Sequence, residues 1–186
     1  MTPKNTLISL GAGLSQVELI RTARDLDFEV IAIDINEDAP GFKYADKHIV
    51  KSTHSPKEII NELNKIISEN EDICLLGILN RSSGPPVISA AEISEHFDLP
   101  GVSVDVARNV VNKDRLRTVG HKLGIPFPAF KIIDTNNTNF ETKGINFPVV
   151  VKPALSMVGK SGVCVSRSES NLLPSILNGA TKFIFI

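Results

Sequence analysis

Along the first half of the chain, short unbroken apolar runs alternate with stretches in which apolar positions recur every three or four residues. Residues 6–10 predict a buried strand, and Gly11-Ala12-Gly13 a tight turn. An amphipathic helix over 16–26 puts Val17, Ile20, Ala23 and Leu26 on one face. A second strand over 29–33 ends at Asp34, and a short third covers 47–50. Helical spacing then runs over 56–68 through Ile59, Ile60, Leu63, Ile66 and Ile67, followed by an apolar strand over 73–79 and a helix over 86–97. Strands alternating with helices build a parallel α/β sheet, and such sheets bind ligands beyond the carboxyl ends of their strands. The expected fold class is therefore α/β, with a first domain spanning residues 1–110.

The rhythm changes over residues 111–186. A helix over 112–123 is stopped by Gly124 and followed by Pro126 and Pro128. Strands are predicted over 130–133, 147–152 and 162–166, with a polar stretch over 134–139 and a glycine-containing loop between them. A helix over 168–178 and a last apolar run over 182–186 complete the pattern. An apolar strand needs neighbours and a polar exit, so the expectation is that this second, α+β region is an incomplete domain interrupted at Ile186.

Composition narrows the function classes. Apolar residues make up 42% and charged residues 22% of 186, with a formal net charge of -1. Nothing in that balance attracts nucleic acid or an anionic membrane. Cys74 and Cys164 lack the spacing of a zinc site or a disulfide framework and read as buried thiols. No stretch approaches the roughly 20 apolar residues of a membrane span, and no long hydrophobic leader follows Met1, so the expected location is the cytoplasm.

Two glycine motifs invite a nucleotide reading. Gly11-Ala12-Gly13-Leu14-Ser15-Gln16 follows a strand, opens a helix and is answered by Asp34, close to a dinucleotide fingerprint. Gln16, however, stands where the third glycine would allow close helix and strand packing, so a tight turn in a Rossmann-like sheet is an equal reading beside NAD binding. Ala154-Leu155-Ser156-Met157-Val158-Gly159-Lys160-Ser161 fits a relaxed Walker A pattern. A P-loop requires a helix directly after its Lys-Ser pair, whereas Gly162 leads into Val163-Cys164-Val165, which favours a strand. A loop between antiparallel strands is the expected object, and its backbone N–H groups and Lys160 can still cover phosphates.

The more specific signal is a series of elements in order. Leu99-Pro100-Gly101 precedes the helix bearing Asn112-Lys113-Asp114-Arg115-Leu116-Arg117. Then come Leu123-Gly124-Ile125-Pro126, Phe147-Pro148-Val149-Val150-Val151-Lys152-Pro153 and Gly159-Lys160-Ser161-Gly162. Together with Ala39-Pro40-Gly41 and Tyr44-Ala45-Asp46, these resemble the amino-terminal part of the ATP-grasp superfamily, which includes biotin carboxylase and the synthetase domains of carbamoyl phosphate synthetase. The resemblance implies a Rossmann-like domain preceding the grasp, then the first, incomplete α+β part of the grasp itself. It implies an ATP-dependent ligase that joins a carboxylate to an amine or thiol through an acylphosphate, with ATP and magnesium as cofactors and small-molecule carboxylate and amine substrates as partners. Lys113 and Lys152 would reach the ATP phosphates, with Ser156, Gly159, Lys160, Ser161 and Gly162 in the covering loop. Gly11, Gly13, Asp34, Asn36 and Arg81 would border a substrate crevice, although a polar loop capping the next helix accounts equally for Arg81. Arg115 and Arg117 read as surface residues. The family's magnesium ligands lie downstream of the last strand, so none is expected within residues 1–186 and the chain alone is expected to be inactive. A nucleotide-binding domain of the NAD type and a noncatalytic remnant of the grasp are the alternatives, and a homodimer is one assembly such a chain could form.

Overall fold

A computed structural model of the chain describes residues 3–134, 146–155 and 162–172, and the backbone of 182–185. The chain divides into two compact units, residues 1–107 and 108–186.

The first unit is built on four parallel strands, β1 (Lys4–Leu10), β2 (Glu29–Asp34), β3 (Lys47–Val50) and β4 (Ile73–Leu79), in the order β3-β2-β1-β4. Its helices are α1 (Leu14–Asp25), α2 (Pro56–Glu69) and α3 (Pro85–His96). Side chains alternate across a strand, so each strand feeds two cores. Ile8, Leu10, Ile31, Ile33 and Ile49 pack with Ile59 and Leu63 of α2 and Ile93 of α3. On the opposite face Val30 and Ala32 meet Ile20 and Ala23 of α1. The wholly buried isoleucines and leucines each contribute about 1.5 to 3 kcal/mol of burial free energy. Helices thus cover both faces, the doubly wound arrangement expected of a sheet whose strands are apolar on both sides.

One helix has no counterpart in the sequence expectations. Helix α4 (Val104–Val111) lies where Val102, Val104 and Val106 alternate with polar residues, a β-branched, strand-like pattern. Tertiary structure overrides that pattern at the helix start. The Glu95 carboxylate accepts the Val104 N–H at 2.8 Å, and Ser103 Oγ accepts the Val106 N–H at 3.3 Å.

The second unit contains α5 (Lys113–Lys122) and a wholly antiparallel sheet. Its strands are β5 (Lys131–Asp134), β6 (Val149–Pro153), β7 (Cys164–Ser166) and β8 (Lys182–Phe185), in the order β5-β8-β6-β7. Strand β8, the last apolar run, pairs with β5 on one edge and β6 on the other. Ile133, Val149, Val151 and Leu172 form the core. Of the helix expected over 168–178, the described part is a 3-10 turn at Glu169–Asn171, and 173–178 lie outside the described residues. Among the described residues no helix is long and apolar enough to cross a membrane.

Candidate functional site

In the first unit the glycine motif, Asp34 and Arg81 gather at the carboxyl ends of β1, β2 and β4. Gly11 turns the chain at φ 109°, a conformation that favours glycine, and its N–H donates to the Ile33 carbonyl at 2.8 Å. Asp34 Oδ2 accepts the Ala12 N–H at 2.9 Å, and Oδ1 accepts the Asn36 N–H at 3.0 Å. Arg81 reaches across from the end of β4 to donate to the Ser15 carbonyl at 2.5 Å. Gln16, only 7% exposed, lays its amide against Gly11, where a Cβ would lie 3.0 Å from Nε2. Its Oε1 accepts the Ser15 hydroxyl at 2.8 Å, and its Nε2 donates to Ser82 Oγ at 3.4 Å.

These bonds bear on the dinucleotide reading. Gln16 stands in place of the third glycine and packs against Gly11, and each Asp34 oxygen accepts a backbone amide, which favours the tight-turn reading. The residues form a braced turn, with the exposed apolar side chains Leu14 and Ile35, 84% and 70% accessible, adjacent in sequence. Sequence reasoning missed those two because a single exposed leucine or isoleucine in a loop carries no periodic signal.

In the second unit, cations converge on the start of α5. Asn112 caps the helix, its Oδ1 accepting the N–H groups of Asp114 at 3.0 Å and Arg115 at 3.3 Å. That leaves the Lys113 N–H to dock on the end of β6, donating to the Ala154 carbonyl at 2.8 Å. Along β6, Val149, Val151 and Pro153 are buried, so the alternation turns Val150 and Lys152 to the other face. Lys152 is held below the ordinary lysine pKa, chiefly by burial and then by the charges of Arg117 and Lys113. Burial alone pushes Lys113 down. Among the described residues no carboxylate forms an ion pair with Lys152.

Arg117 corrects one expectation. Arg115 is exposed, but Arg117 is half-buried, with its guanidinium 4.3 Å from the centre of the Phe127 ring. Helical spacing puts it one turn from Lys113, while its partner Phe127 comes from beyond the helix end, outside any local pattern.

The glycine loop joins β6 to β7, whose antiparallel register pairs Val151 with Cys164. A strand therefore follows the Lys-Ser pair, and the Walker A fit is excluded. Gly162, at φ 75°, returns against Pro153, where a Cβ would lie 2.8 Å from Cγ, so the loop closes near the strand end it left. Ser156, Gly159, Lys160 and Ser161 lie outside the described residues. Among the described residues no group of three or more His, Cys, Asp or Glu side chains is placed to hold a metal ion.

No protein-family model matches the chain. It is 31% identical over 179 residues to a formate-dependent phosphoribosylglycinamide formyltransferase of Prochlorococcus marinus subsp. pastoris, covering 92% of this chain and 42% of that protein. The enzyme of the same description from Bordetella pertussis is 26% identical over 176 residues, again with 92% and 42% covered. Among solved structures, an L-amino acid ligase from Bacillus licheniformis matches with a TM-score of 0.77 at 19% identity, covering 100% of this chain and 44% of that one. The ADP complex of an N5-carboxyaminoimidazole ribonucleotide synthetase matches at 0.75 and 19%, with 100% and 47% covered. The chain thus spans less than half the length of these relatives.

Proposed function

The chain belongs to the ATP-grasp superfamily, matching the amino-terminal portion of its enzymes, and from that premise we propose that it forms one side of the nucleotide site of an ATP-dependent carboxylate-amine ligase. The observation that carries this is the 2.8 Å bond from the Lys113 N–H to the Ala154 carbonyl. It ties the start of α5 to the end of β6, so that Lys113 and Lys152 share one electrostatic environment beside the glycine loop.

In the proposed reaction a carboxylate oxygen attacks the γ-phosphorus of ATP, and ADP leaves with the electron pair of the broken bond. An amine or a thiol then displaces phosphate from the acylphosphate. Protein catalysis of such phosphoryl transfer is mainly positioning and neutralisation of charge. Lys113 and Lys152 would neutralise the phosphate oxygens, and the loop carrying Ser156, Gly159, Lys160, Ser161 and Gly162 would cover them. Magnesium, which the resemblance implies as a cofactor, would be held by hard oxygen ligands and would supply further neutralisation of charge. Among the described residues no group of three or more His, Cys, Asp or Glu side chains would hold it. Gly11, Gly13, Asp34, Asn36 and Arg81 would border the substrate crevice. The sequence relatives are named for formate and phosphoribosylglycinamide, so a small carboxylate and a phosphorylated amine are the first substrates to try.

Calorimetric titration of the chain with ATP and, separately, with NAD tests the proposal. Saturable binding of ATP but not NAD is expected, with Lys113→Ala and Lys152→Ala together weakening it at least about a hundredfold. A double variant that binds ATP as the unaltered chain does would overturn the assignment.

A further inference from the structure

We infer that Arg117 is a third cation of the phosphate site, set in place by Phe127, whose ring packs where Gly120 has no side chain. This rests on the nucleotide site proposed above. Lys113, Arg117 and Gly120 stand at helical positions i, i+4 and i+7, which lie on one face of α5. Glycine weakens a helix interior relative to alanine, so Gly120 calls for a packing reason. Phe127 provides one: a Cβ on residue 120 would lie 2.1 Å from its Cε2 and 2.8 Å from its Cζ, inside van der Waals contact. The ring can therefore rest on the helix backbone only while residue 120 is glycine. The same ring carries the Arg117 guanidinium at 4.3 Å.

Stacking changes what the arginine can do. A free surface arginine samples many rotamers in water, whereas a guanidinium lying on an aromatic ring holds its charge and its fork of donors in one place. Among the described residues no carboxylate forms an ion pair with Arg117. Its charge instead falls on Lys152, where it outweighs the repulsion from Lys113. Like charges held together disfavour the empty site, and an anion that meets all of them relieves that repulsion on binding. A triphosphate chain, with several negative charges spread along it, has the chemistry to do so.

The test uses the full chain with inorganic tripolyphosphate, read by calorimetry, alongside titration of the Lys152 side chain by NMR. Arg117→Gln is expected to weaken tripolyphosphate binding about tenfold, the worth of one charge-assisted contact, and to raise the Lys152 midpoint. Phe127→Leu and Gly120→Ala keep every charge but free the guanidinium, and should move both readouts the same way by less. Phe127→Tyr, which keeps the stack, should restore both. Unchanged affinity in Arg117→Gln, with binding still weakened by Lys152→Ala, overturns the role of Arg117 while leaving the nucleotide site standing, even if the Lys152 midpoint moves. An unaltered chain that binds no tripolyphosphate overturns both together, so the two failures are told apart.

Discussion

Lys4 in the first unit and Lys152 in the second are both strand lysines, and their surroundings move them in opposite directions. Lys4 lies 3.0 Å from Glu29 and 3.5 Å from Asp72, and its bond to Glu29, aided by Asp72, raises its pKa. Lys152 has burial, Arg117 and Lys113 to contend with, and all three lower its pKa. The contrast extends beyond these two. In the first unit Asp34 holds two backbone amides and Arg81 braces a turn carbonyl, so the charges serve the fold. In the second, Lys152 on β6 stands near the charges of Arg117 and Lys113 on α5, which add to the effect of burial. A scaffold gathers opposite charges; the proposed polyanion site tolerates like ones.

The comparison can be broken at four points. Replacing Asp34 with Ala strands the buried Ala12 amide and should lower the unfolding free energy by about 1 to 3 kcal/mol, measured by urea denaturation. A loss under about 1 kcal/mol would mean that Asp34 does not brace the turn. Lys152→Met should do the reverse: stability stays within about 1 kcal/mol of the original or rises, because a repelled charge is removed, while triphosphate binding weakens about tenfold. A strongly destabilised Lys152→Met would make this lysine structural.

Alkaline titration separates the two kinds of lysine. The folded pKa values of Lys113 and Lys152 lie below 10.5, so the penalty for charging them is full below those values and is relieved as pH rises through them. Their contribution to stability should therefore increase just below pH 10.5, while triphosphate affinity falls over the same window. The raised pKa of Lys4 makes its contribution full below 10.5 and lost above it. A triphosphate affinity that is flat up to pH 10.5 would contradict the lysine assignments. The smallest effect is expected from Arg81→Ala, about 0.5 to 1 kcal/mol of stability, since its bond to Ser15 is solvent-exposed. Loss of substrate affinity without loss of stability in that variant would move Arg81 from brace to binding residue.

Much of this was legible in local pattern. The parallel strands of the first unit, the stop after α5 and the antiparallel turn of the glycine loop follow from periodicity and from Val163-Cys164-Val165 succeeding Gly162. Helix α4 was not legible, because its valines alternate like a strand and its first turn depends on Glu95, nine residues upstream. Gln16 could be read as a missing glycine, but not as the side chain that packs against Gly11.

By itself the sequence determined the alternation of strands and helices and the ordered motifs, whose resemblance to the superfamily implied Lys113 and Lys152 as paired candidates. These reside in residue type and short-range spacing, which act through propensity and burial along a single element. Only the tertiary structure decided that Asp34 is a brace, that the Lys113 amide meets Ala154, and that Arg117 lies on a ring seated against Gly120. Each of those depends on a contact between segments that are remote along the chain or separated by a turn. Hydrogen bonds and like-charge repulsion act at a few ångströms, and which groups come that close is a property of the packed chain.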